Sequence, residues 1–167
     1  MNQVAKNSGF KSTNLHNQEA TRNNVIRMIN RAASELEAGD IFCISYSGHG
    51  GSIPDTNGDE ADWLDETWCL FDAQLIDDEL NTFWTIFKKG VRILVVSDSC
   101  HSGSVTKDGL SEIVKYTNDV PRFLSSKQVE QVWENNKSLY LDLKSQEMIF
   151  EHSALQATVR LLSGCQD

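Results

Sequence analysis

The spacing of apolar residues divides the chain into short alternating blocks. Residues 10–16, FKSTNLH, alternate loosely and predict a short strand. Residues 20–38 carry Val25, Ile26, Met28, Ile29, Ala32, Ala33 and Leu36 at helical intervals, and Gly39 supplies a stop. Residues 41–47, IFCISYS, predict a buried strand that runs directly into Gly48-His49-Gly50-Gly51. Residues 52–66 have no apolar period and read as a long acidic loop. Asp77 stands where a helix N-cap belongs, and Leu80, Phe83, Trp84 and Phe87 form one helical face behind it. Gly90 ends that helix, and residues 91–97 predict the next strand. Residues 102–125 are polar and punctuated by Gly and Pro, the pattern of a mobile loop. Residues 126–146 predict a helix and residues 159–162 a last strand.

Strands alternating with helices imply an α/β fold built on a mainly parallel sheet. Such sheets bind ligands beyond the carboxyl ends of their strands. Two predicted strands lead there into reactive side chains: IFCISYS into His49, and VRILVVS into Cys100. If these strands are adjacent, parallel and of similar length, both side chains fall on one edge.

Composition narrows the function classes. A length of 167 residues suits one domain with one core, and 40% apolar with 23% charged residues is ordinary for a soluble protein. A net charge of −9 with a pI near 4.8 argues against nucleic-acid binding and leaves room for basic partners or cations. No apolar run approaches the roughly 18 residues of a membrane span, and the start lacks a signal-peptide layout. Of the four cysteines, Cys43, Cys69 and Cys100 lie in or beside apolar runs, which favours a reduced, cytoplasmic setting over disulfides. No CxxC or HExxH spacing supports zinc.

The remaining question is why a strand should deliver a bare thiol. A thiol attacks as thiolate, and a nearby imidazole can take its proton. His49 lies 51 positions before Cys100, and each is followed within three residues by glycine. Glycines let backbone N–H groups approach a substrate carbonyl, as an oxyanion hole requires. His101 adjoins the thiol, but neighbours on an extended chain point opposite ways, so it reads as a loop residue.

YSGHGG followed by SDSCHSG resembles the caspase-like cysteine peptidases, in particular the metacaspase and bacterial caspase-homologue branch of peptidase family C14. PDTNGDEADWLDE, IDDEL and the terminal SGCQD are similar to that branch as well, so the likeness runs along nearly the whole chain. The resemblance implies a three-layer caspase-like α/β sandwich and a cysteine endopeptidase with Cys100 as nucleophile and His49 as general base. It implies an oxyanion hole from the Gly50 and Cys100 amides. Asp98, two before the thiol, matches an acidic pocket for Arg or Lys, where caspases proper cleave after Asp. Protein or peptide substrates with basic residues are then the partners. A strand-end carboxylate can also simply cap local amides.

The acidic loop has oxygen-bearing residues at EF-hand spacing (Asp55, Asn57, Asp59, Glu66), but Glu60 stands where an EF-hand needs glycine. Many metacaspases are calcium-activated, and Asp65, Asp77 and Asp78 match their ligand positions. The remaining position falls on Lys107, with Asp108 one place late. Against calcium stands a plain solvated acidic loop with Asp77 as helix cap.

Family domains usually open with an apolar strand and an NDA-type segment, and continue past the last strand seen here. The chain therefore resembles an internal piece of the domain, lacking the usual first strand and last elements. The absent strand would lie between segments 10–16 and 41–47, exposing backbone edges. A catalytically inactive caspase-like interaction or regulatory module is the alternative function, and a calcium-binding module a third. Lys107, Lys115 and Arg122 in the 102–125 loop are candidate self-processing sites.

Overall fold

A computed structural model describes residues 1–54, 64–99, 126–150 and 154–163. The elements are α1 (Asn2–Asn7), a 3₁₀ turn (Asn17–Glu19), α2 (Arg22–Glu35), β1 (Ile41–Ser47), β2 (Gly50–Pro54) and β3 (Leu64–Cys69). β4 (Gln74–Ile76), α3 (Asp77–Thr85), β5 (Arg92–Asp98), α4 (Ser126–Phe150) and β6 (Thr158–Ser163) follow. Cys100, Cys165, the 102–125 segment and Asp55, Asn57, Asp59 and Glu60 lie outside the described residues.

Three strands make a parallel sheet in the order β1-β5-β6. Their register places Phe42, Ile44 and Tyr46 beside Ile93, Val95 and Ser97, so period-2 alternation puts all six on one face. Onto that face pack Ile29 and Ala33 of α2 and Leu80 and Trp84 of α3, with Phe87 just beyond it. Phe42 stacks on Phe87 with centroids 5.2 Å apart. Burying each such large side chain is worth about 1.5–3 kcal/mol. α2 begins where the Thr21 hydroxyl accepts the Asn24 N–H at 3.2 Å. Arg22 at its first turn makes a buried ion pair with Glu79 of α3, which ties the two helices together.

β2, β3 and β4 form a second, antiparallel sheet. Trp68 and Leu75 carry it into the main core. Its other side is covered by α4, whose Tyr140 and Trp133 pack on Ile53 and Ile76. The Tyr140 hydroxyl accepts the Gln74 N–H at 3.0 Å.

Four expectations need correction. Residues 10–16 are not a strand: Phe10 and Leu15, five apart, would face opposite sides of one, and both are half-buried in irregular chain. Segment 52–66 is not all loop, since β2 and β3 occupy both its ends. Each strand buries single apolar residues, Ile53 of β2 against Tyr140, and Trp68 of β3 in the main core, rather than an apolar repeat. β1 is only partly buried, because it is paired on one side alone among the described residues. Asp77 is the first residue of α3 rather than its cap; the Ile76 N–H before it is taken by Glu79 at 3.2 Å. The sheet, α2, α3 and α4 otherwise follow the sequence pattern, with α4 four residues longer than expected. No helix among the described residues is long and apolar enough to cross a membrane.

Candidate active site

β1 and β5 are neighbours, parallel, and matched end to end, with Ser47 opposite Asp98. The Gly48 N–H reaches the Asp98 carbonyl at 3.3 Å, so the pairing extends one place beyond the strands. From this edge one chain continues to His49 and the other to Ser99 and Cys100. The Ser47 hydroxyl donates to the Asp98 carboxylate at 3.3 Å, and both residues are exposed. Ser47 was not singled out from sequence, although it precedes the Gly-His-Gly by one place.

The His49 backbone is held firmly while its side chain is exposed. Its carbonyl accepts the Cys69 N–H at 3.0 Å and the Tyr46 hydroxyl at 2.7 Å. That pair begins the β2–β3 ladder, with Gly50 opposite Trp68 next. Alternation in an antiparallel ladder then turns the Gly50 N–H away from β3. Two glycines here are required by close approach. A Cβ on Gly48 would lie 2.5 Å from the Tyr46 hydroxyl, and one on Gly51 2.5 Å from Gln74 Oε1 and 2.9 Å from Cys69 Sγ.

The two described cysteines are free thiols. Burial raises both: Cys43 above its ordinary value and Cys69 to about 11. Neither is a thiolate near neutral pH.

A second cluster lies where β3 faces the start of α3. Thr67 pairs with Ile76, the last residue before α3, so Asp65 and Glu66 of β3 lie near Asp77 at the helix start. Asp65 is buried, and Asp77 and Asp78 are half-buried. Burial, then the charges of Asp78, Asp65 and Glu66, push the Asp77 carboxyl up to about 7. Asp78, Asp65 and Glu66 are thus near enough to Asp77 for their charges to act on its carboxyl. This oxygen-only donor set suits a hard cation. Among the described residues, however, no three acidic, His or Cys side chains converge closely enough to hold a metal.

The family profile for the metacaspase, peptidase C14 domain matches residues 2–108, a span that contains His49, Asp98 and Cys100. The chain belongs to the metacaspase family. Metacaspase-1B of Aspergillus terreus is 35% identical over 89 residues, covering 50% of this chain and 24% of that protein. Metacaspase-1A of Neurospora crassa is 36% identical over 92 residues, covering 52% and 20%. This metacaspase chain therefore spans a quarter or less of these relatives. A crystal structure of a protein from Geobacter sulfurreducens superposes with a TM-score of 0.82 at 42% identity, covering 99% of this chain and 61% of that one. Family membership carries the caspase-like fold.

Proposed function

We propose that this metacaspase domain is a cysteine endopeptidase that cleaves after Arg or Lys through a Cys100–His49 dyad. The observation that carries this reading is the end-to-end register of β1 and β5, which sends the GHG and SC segments off the same sheet edge. His49 takes the proton from the Cys100 thiol, and the thiolate attacks the scissile carbonyl carbon. The negative charge then developing on the carbonyl oxygen is held by the N–H groups of Gly50 and Cys100. The direction of the Gly50 N–H, away from β3, supports this role. Collapse expels the amine, which leaves with the proton from His49, and water hydrolyses the thioester. Asp98, steadied by the Ser47 hydroxyl, pairs with the substrate guanidinium or ammonium.

Asp65, Asp77 and Asp78 match the calcium positions of the family, but among the described residues they do not converge closely enough to hold an ion, and no step of this reading uses calcium. Free Cys43 and Cys69 agree with a reducing compartment such as the cytoplasm.

The test is hydrolysis of fluorogenic peptides ending in Arg, Lys or Asp, with and without calcium. Cys100→Ala and His49→Ala should each abolish turnover, and Asp98→Asn should reduce it for basic substrates alone. Preference for the Asp peptide would refute the pocket. Turnover that survives Cys100→Ala would refute the dyad. No turnover of any peptide would favour a non-catalytic caspase-like module.

A further inference from the structure

The groups that hold the two strand ends are joined by a continuous set of contacts. On the His49 side, the Tyr46 hydroxyl lies 2.7 Å from the His49 carbonyl and 3.0 Å from the Cys69 carbonyl. It reaches them because Gly48 has no side chain to block the phenol. On the Cys100 side, the Trp68 indole N–H donates to the Ser97 hydroxyl at 3.1 Å. Ser97 is in turn hydrogen-bonded to the Ser99 hydroxyl at 3.0 Å, and Ser99 is fully buried and immediately precedes Cys100. The two halves meet where the Tyr46 ring stacks on Trp68, with centroids 4.7 Å apart and planes 12° from parallel. Burial raises the Tyr46 phenol far above its ordinary value, so it remains an O–H donor across neutral pH.

We propose that Tyr46 and Trp68 are a positioning pair for the dyad, setting the His49 backbone and the approach to Cys100 against each other through their stacked rings. This rests on the dyad reading above. The two contacts are of different kinds, a phenol on a carbonyl and an indole on a serine chain, yet neither ring can shift without moving the other. A rigid stack of this sort holds two reacting groups at a fixed offset, which a pair of independent loops does not. Both act through neighbours, Tyr46 on the His49 carbonyl and Trp68 on the Ser97 hydroxyl.

The variants are Tyr46→Phe, which removes one hydroxyl and keeps the stack, and Trp68→Phe, which keeps a ring and removes the indole donor. The double variant completes a cycle. Iodoacetamide labelling of Cys100, followed by peptide mapping across neutral pH, is measured beside kcat and KM on an Arg peptide and Tm. Each single variant should slow Cys100 labelling about three- to ten-fold, the weight of one hydrogen bond. kcat should fall with it, while KM and the labelling of Cys43 stay at wild-type values. The double variant should lose little more than the worse single one, because the pair acts as a unit. Wild-type labelling rates in both single variants would overturn the proposal. Losses that merely follow Tm, or that multiply in the double variant, would overturn it too. If wild-type protein cleaves no peptide but its Cys100 labelling still falls as described, the positioning pair stands and the peptidase reading fails.

Discussion

Replacing Asp77 with Asn tests the electrostatics of the acidic cluster without any assumption about catalysis. Burial first, and then Asp78, Asp65 and Glu66, raise the Asp77 carboxyl from 3.8 to about 7. An acid with a raised folded value binds its proton more tightly in the fold than in the unfolded chain. Its effect on stability is therefore nil below about pH 4, grows as a loss while pH rises towards about 7, and stays constant above. At about 1.4 kcal/mol per pKa unit the loss comes to about 4 kcal/mol. Solvent reaching the half-buried carboxylate reduces that to about 2–3 kcal/mol. Asp77→Asn removes the titration and keeps an oxygen for the Asp78 N–H that Asp77 now accepts at 3.1 Å. The assay is urea unfolding in chelator near pH 4 and near pH 8, for both proteins. The variant should gain about 2–3 kcal/mol on wild type between the two conditions. Parallel pH dependence in the two proteins would refute the reasoning, because the cluster would then cost the fold nothing.

Glu79→Ala should destabilise by about 3–5 kcal/mol, because Arg22 would keep a buried, unpaired charge; chemical denaturation measures it, and a loss under about 1 kcal/mol would contradict the pairing. Gly51→Ala should cost about 1–3 kcal/mol by driving a methyl into Gln74 and Cys69, read as a lower Tm. Incubating active protein and Cys100→Ala side by side, with fragment masses read out, should show cuts after Lys107, Lys115 or Arg122 in the active sample alone.

The parallel sheet was legible because its strands are short apolar runs with glycines near their ends, as in VRILVVS after Gly90. The helices α2 and α3 announced themselves by apolar spacing. β2 to β4 did not, because GGSIP, LDETWC and QLI are held by backbone pairing and by single apolar residues sent to two different cores, neither of which leaves a period in the sequence. That gap hid the closeness of Glu66 to Asp77, which follows from β3 running beside β4 up to the start of α3. His49 and Asp98 were readable as strand-end residues, and their matched edge is what the register of β1 and β5 displays. Tyr46 was passed over as one more strand residue. The available signal was a bulky phenol separated by only Ser47 from a glycine, since such a ring folds back under a turn only when the residue above it has no Cβ.

The shared last rung at Ser47 and Asp98 also sets which changes of length this domain tolerates. One residue added to or removed from either strand would slide one motif past the other by about 3.3 Å and turn its side chains to the opposite face. Both strands are seven residues long. Insertions between elements leave that rung intact, so length variation among working relatives should gather in the connections and spare these two strands. A circular permutation or a fused sensor domain should likewise be borne in a connection, while a single-codon deletion inside β1 should be as damaging as loss of His49.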